Sequence, residues 1–173
     1  MNNPIHIRHA VVDDLQQITA IYNHYVVNTA ITFDLERWQT KDRMPWFDQF
    51  KLDSPHPCFV AELNGKILGY ACATRLRPKA AYDRSVETTI YLRRDATGNG
   101  YGQLLYQELF SHLETQPVHR CYGIIALPND ASITLHRSFG FREIGTLTEV
   151  GFKFGKYWDT VWLEKSLLNA TRQ

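Results

Sequence analysis

The stretch "TGNGYGQLL" (97–105) sets glycines at 98, 100 and 102 immediately before an apolar run. Alternate glycines let backbone N–H groups come close to a ligand that a Cβ would fend off. Leu105, Leu109 and Leu113 recur on one face and predict a helix over 101–115. A glycine loop that opens a helix is a ready place for an anion. Two common phosphate loops fail here. A P-loop needs Lys and then Ser/Thr after its last glycine, and Gln103 and Leu104 follow instead. A dinucleotide loop reads G-x-G-x-x-G near the start of a βαβ unit; this one reads G-x-G-x-G, past the middle of the chain. What remains is a plain glycine turn or a phosphate cradle of another fold.

The flanks narrow the choice. "SVETTIYL" (85–92) is a strand, and Asn64-Gly65 between "CFVAEL" and "KILGYACATRLR" is a hairpin signal. "IHIRHA" (5–10) alternates like a strand. Asp13 or Asp14 is placed to cap the next helix, which carries Leu15, Ile18, Ile21, Tyr22 and Tyr25. A second helix is expected from Thr40 to about Leu52, with Pro45 in its first turn. After the glycine loop come a buried strand, "RCYGIIAL" (120–127), and a short helix, "DASITLHRSF", stopped by Gly140. Strands "TLTEVGFKFG" and "YWDTVWLEK" close the chain. The order describes one α/β domain over 1–173 with a mixed sheet and no linker.

Composition agrees. A chain of 173 residues with 44% hydrophobic and 21% charged residues is globular. A net charge of +1 gives no electrostatic footprint for nucleic acid. No run reaches membrane-spanning length, and "MNNPIHIRHA" has no apolar signal core, so no membrane partner and a cytoplasmic location are expected. Cys58, Cys72 and Cys121 are scattered without metal-ligand spacing, which disfavours a disulfide framework and a metal site.

The strand "TTIYLRRD", the glycine loop, the helix and "PNDASITLHRSFGF" together resemble the GNAT acyltransferase superfamily. Its acetyl-CoA loop reads Arg/Gln-x-x-Gly-x-Gly/Ala. Thr97, Gly98, Asn99, Gly100, Tyr101 and Gly102 match its two small positions and depart at the first, where Thr97 stands. The stretches "IYNHYVVNTAITF", "AYDRSVETTIYL", "LPNDASITLHRSFGF" and "GFKFGKYWD" resemble the phosphinothricin and methionine sulfoximine N-acetyltransferases, from about Ile5 to Leu163. The resemblance implies a GNAT fold with a mixed, mostly antiparallel sheet flanked by helices. It also implies acetyl-CoA as co-substrate, a small-molecule amine as acceptor, no metal, and a homodimer.

Acetyl transfer to an amine needs a neutral amine, a polarised carbonyl and a protonated leaving thiolate. Glu87 stands in an otherwise uncharged strand and points opposite to Val86 and Thr88. The residues alone leave it between a solvent-facing glutamate and a base; the resemblance puts it at the family's catalytic glutamate. His136 is either a half-buried helix histidine or a proton carrier. The resemblance places it where many relatives carry a tyrosine that serves the thiolate. Asn129 and Ser132 belong to the same motif, with Asn129 as helix cap or pantetheine contact. Backbone groups of Ile90, Tyr91 and Leu92 are expected to pair with the pantetheine arm. For an anionic acceptor, Arg75, Arg77, Lys79 and Tyr82 precede the catalytic strand, with Phe33 as a wall and Lys153 as added positive charge.

These readings converge on direct acetyl transfer from acetyl-CoA to the α-amine of a small amino-acid analogue. The competing enzyme reading is acetylation of a peptide N-terminus or another small amine. A third reading is a non-catalytic acetyl-CoA sensor, which the pairing of Glu87 with His136 disfavours.

Overall fold

Asn64 and Gly65 turn the chain with φ of 52° and 76°, the paired positive values that a tight hairpin between twisted strands requires. In the computed structural model, which describes residues 4–167, this hairpin joins β2 (Cys58–Leu63) to β3 (Lys66–Arg75). β4 (Ser85–Leu92) lies antiparallel to β3, and β1 (His6–His9) antiparallel to β2. β5 (Arg120–Ala126), β6 (Arg142–Lys153) and β7 (Lys156–Ser166) complete a seven-stranded sheet in the order β1-β2-β3-β4-β5-β7-β6. Every neighbouring pair is antiparallel except β4–β5.

That parallel pair shapes the site. Its register holds only Ser85–Glu87 against Arg120–Tyr122. Beyond Glu87 the two strands part, although β4 continues to Leu92 and β5 to Ala126. The facing edges carry backbone groups with no ladder partner, which a ligand or water must satisfy.

Four helices cover the two faces. On one side α3 (Tyr101–Leu113) buries Leu105, Tyr106, Leu109, Phe110 and Leu113 against Val86, Ala71 and Ala73, as its leucine spacing predicts. α4 (Asp130–Ser138) lies on the same side and lends Ile133 and Leu135. On the other side α1 (Leu15–Asn28) buries Ile18 and Ile21 with Val60, Tyr70 and Cys72. α2 (Met44–Phe47) brings Trp46 and Phe47 to this second core.

Two expectations are corrected. The helix expected from Thr40 to Leu52 is a 3-10 turn, Thr40–Arg43, followed by the single turn of α2. Pro45 has no N–H for the carbonyl of Lys41, so the α ladder cannot run through it. The chain then turns to bury Phe50 beside Trp46, with ring centroids 4.8 Å apart. Asp14 does not cap α1. Its carboxylate accepts two bonds from Arg8, at 2.6 and 2.8 Å, and one from the Val11 N–H, which fixes the 3-10 turn before the helix.

Candidate active site

The parting of β4 and β5 opens a cleft of about 340 Å³, closed at one end by the glycine loop and flanked by α4. Gly98 and Gly100 have φ of 78° and 79° and precede α3 directly. Only glycine adopts this backbone without strain. The first N–H groups of a 13-residue helix have no partner within the helix and carry its positive pole. Thr97, Gly98, Gly100 and Gly102 line the cleft, as do Ile90, Tyr91 and Leu92 from β4 and Asn129 and Ser132 from α4. Asn99 and Tyr101 do not line it. The Asn99 side chain bonds the carbonyls of Ala96 and Thr97 and holds the loop. The Thr97 hydroxyl donates to the Arg94 carbonyl at 2.9 Å, so it too braces the turn. Asn129 caps α4 by accepting from the Ser132 N–H at 3.2 Å. A pyrophosphate at the glycine loop and an extended arm along the open edge of β4 fit this donor set.

A second cavity of about 530 Å³ lies under the loop after α1 and under α2. Strand alternation creates it: Val86, Thr88 and Ile90 face α3, while Glu87, Thr89 and Tyr91 face α1. Glu87, Thr89 and Tyr91 line both cavities, together with Ile31 and Ile124. Glu87 therefore stands where two ligands from opposite sides of the sheet would meet. Its carboxyl is held above the usual carboxylate range by burial, which Arg77's positive charge partly offsets.

His136 also lines the cleft and is 2% exposed. Nδ1 is 2.8 Å from the Ser132 carbonyl, and that partner can only accept. Nδ1 thus carries the proton, and Nε2 accepts from the Tyr106 hydroxyl at 2.9 Å. Burial lowers the His136 pKa. Both nitrogens are engaged by a neutral ring. The Cδ2–Nε2 edge of the ring abuts β5: a Cβ on Gly123 would stand 2.6 Å from both atoms, so a larger residue there would displace the ring.

Of the residues expected for the acceptor, Phe33 lines the second cavity. Its ring rests on Gly151, where a Cβ would come within 2.3 Å of it. Lys153 is corrected. It is 3% exposed and absent from the cavity lining; its Nζ donates to the Thr32 carbonyl at 2.7 Å and clamps the loop onto β6. Arg75 ends β3, and Arg77, Lys79 and Tyr82 lie in the exposed β3–β4 connection; none of the four lines the cavity. Arg75 pairs loosely with Asp83 at 3.6 Å, and Tyr82 closes a 3-10 turn over Lys79. Of these four, Arg77 is the one whose positive charge reaches Glu87.

Sequence reasoning missed most of the acceptor wall: Tyr22, Thr32, Asp34, Trp38, Arg43, Trp46 and Tyr70. Tyr22 and Trp38 both donate to Asp34, at 2.8 and 2.7 Å. The aromatic density of "RWQTKDRMPWF" (37–47) was the available signal.

A cleft beside a glycine loop and a second cavity thus meet at one half-buried carboxyl. Residues 7–162 match the model described as "Acetyltransferase (GNAT) domain", and the chain belongs to that family. It is 47% identical to a phosphinothricin N-acetyltransferase of Streptomyces coelicolor over 94% of this chain and 96% of the relative. It is 36% identical to an L-methionine sulfoximine/L-methionine sulfone acetyltransferase of Pseudomonas aeruginosa, over 93% and 94%. A crystal structure of a GNAT phosphinothricin acetyltransferase from Sinorhizobium meliloti in complex with AcCoA superposes with a TM-score of 0.90 at 32% identity, covering 96% and 90%. Among the described residues, no helix is long and apolar enough to cross a membrane, and no cluster of three or more potential ligands could hold a metal.

Proposed function

We infer that the protein acetylates the α-amine of a small amino acid with a polar or anionic side-chain head, of the phosphinothricin and methionine sulfoximine kind. The observation that carries this is the shared floor of Glu87, Thr89 and Tyr91 between cleft and acceptor cavity. Acetyl-CoA supplies the acetyl group as a thioester. The glycine loop, with Thr97 bracing it, holds the pyrophosphate, and the open edge of Ile90, Tyr91 and Leu92 pairs with the arm and orients the carbonyl. Asn129 and Ser132 border the arm from α4.

Glu87 takes a proton from the acceptor's ammonium, directly or through one water, and frees the lone pair that attacks the thioester carbon. A carboxyl raised by burial is a better base than an exposed one, which suits this step. As the carbon–sulfur bond breaks, the nitrogen, cationic after attack, gives up its remaining excess proton, and the leaving thiolate takes that proton up directly or through water. His136, neutral with both nitrogens engaged, shapes the cleft wall and fixes α4 against Tyr106. Arg77, whose positive charge reaches Glu87, receives the α-carboxylate, with Arg75 as the alternative. A homodimer is part of the reading: Leu147, Val150, Phe152, Phe154 and Tyr157 stand exposed on the β6–β7 hairpin and offer an apolar face to a second copy.

Release of CoA, followed with phosphinothricin, methionine sulfoximine, methionine sulfone, polyamines and short peptides, tests the reading. Turnover confined to the amino-acid analogues supports it. Turnover of peptides alone, or acetyl-CoA binding without turnover, contradicts it.

A further inference from the structure

We propose that Arg43 recognises the oxygen of the acceptor's side-chain head group, at the end of the cavity away from Glu87. This rests on the acceptor class inferred above. Five buried side-chain polar atoms among the described residues have no hydrogen-bond partner, and Arg43 Nη1 is one of them. Of the five residues, only Arg43 lines either cavity of the site. Its side chain is 95% buried by the 5% exposure of the residue, and no carboxylate among the described residues forms an ion pair with it.

A buried guanidinium with a free N–H is costly unless something completes it. Here Tyr22 and Trp46 cover its planar faces and Tyr70 bonds part of its edge, while Nη1 is left without a partner. The guanidinium carbon lies 3.9 Å from the Trp46 ring centroid and 4.5 Å from that of Tyr22. Two aromatic rings fix the plane of the fork, so the unpartnered N–H is held in direction before a ligand arrives. Preorganisation of this kind raises affinity because little freedom is lost on binding.

Chain length of the acceptor assigns the head group rather than the α-carboxylate. The carboxylate sits one carbon from the amine, so it must stay beside Glu87, where Arg77 is the charge that acts. Arg43 instead stacks on Tyr22, whose ring packs at 5.2 Å on that of Tyr91, four residues along β4 from Glu87 and opposite Tyr70 of β3. A group at the end of an amino-acid side chain spans that interval. Tetrahedral P=O and S=O oxygens are strong acceptors for a guanidinium N–H.

The test uses purified full-length Arg43→Met and Arg43→Lys. Each is assayed for CoA release with methionine sulfone and with norleucine, which has a similar chain and no polar head. Where norleucine turns over too slowly, its inhibition constant against methionine sulfone replaces it. We expect Arg43→Met to lower kcat/KM for the sulfone by about 30-fold, the scale of one hydrogen bond to a charged group. Norleucine and the KM for acetyl-CoA should change less than about twofold. Arg43→Lys keeps the charge and loses the planar fork, and should retain an intermediate preference for the sulfone. Equal losses on sulfone and norleucine would make Arg43 structural and overturn the proposal. So would an unchanged sulfone preference in either folded variant. If Arg43→Met does not fold, Arg43→Lys alone decides by the same ratio. A parent enzyme that turns over neither amino acid overturns the acceptor class itself, and the proposal with it.

Discussion

Glu87 shows how one side chain acquires a role from its strand position. Period-two alternation turns it away from the α3 core, and the splay of β4 from β5 then leaves it between two cavities. Its raised pKa has a stability consequence. The folded state holds the Glu87 proton more tightly than the unfolded chain does, so ionising it costs stability as pH rises through the raised value. Glu87→Gln should therefore match the parent's melting temperature near pH 4 and exceed it at pH 7, a difference read by thermal melts across that range. His136 has the opposite sign: its lowered pKa makes acid destabilising, because the buried ring must take up a proton as pH falls below its ordinary value. Tyr106→Phe leaves His136 Nε2 buried without a donor and should cost about 1–2 kcal/mol in urea unfolding. Glu87 was legible in the sequence as a charged residue in an otherwise uncharged strand, and His136 through the motif that carries the resemblance. The engagement of both His136 nitrogens was not, since Tyr106 and Ser132 meet it only through packing of α3 on α4.

At the scale of elements, the glycine loop borders the cleft and the clamped loop after α1 borders the second cavity, so under the proposed function each serves one ligand. Gly100→Val puts a branched side chain at a φ of 79°, where only glycine rests easily. It should raise the KM for acetyl-CoA at least about tenfold, a loss on the scale of one charged-group hydrogen bond, with much less effect on the amine; steady-state kinetics with each substrate varied separates the two. Gly151→Ala would displace Phe33 from its seat and should raise the amine KM while sparing acetyl-CoA. The same kinetics checks it, and an equal effect on both substrates would contradict the division. Strands and the two longer helices were readable because their apolar periods are regular: β4 coincides with "SVETTIYL" and α3 begins at Tyr101. The stretch 40–50 was misread because its apolar spacing looks helical while Pro45 and the burial of Phe50 break the ladder. Lys153 was misread because burial of an ammonium is unusual, and a carbonyl 121 residues away in sequence satisfies it.

The whole molecule is a sheet opened on one side by a single parallel pair, so that two cavities reach one carboxyl from opposite faces. Its β6 edge leaves apolar side chains exposed, and Phe152→Glu with Leu147→Glu should shift a dimer toward monomer in sedimentation velocity. An unchanged sedimentation coefficient would remove that face from the assembly. The acceptor wall is the part least legible in sequence, because seven residues from four segments converge only once α1, α2 and β3 are packed. Under the proposed function, Glu87 takes the amine proton at the meeting point of cleft and cavity. The pH–rate profile of Glu87→Gln against the parent tests it most directly. At pH 7 the variant should turn over about 100-fold more slowly, the scale of a positioned general base, with acetyl-CoA affinity kept. The deficit should shrink toward high pH, where the amine is already neutral. Near-parent turnover at pH 7, or a deficit that stays constant with pH, would contradict the assignment.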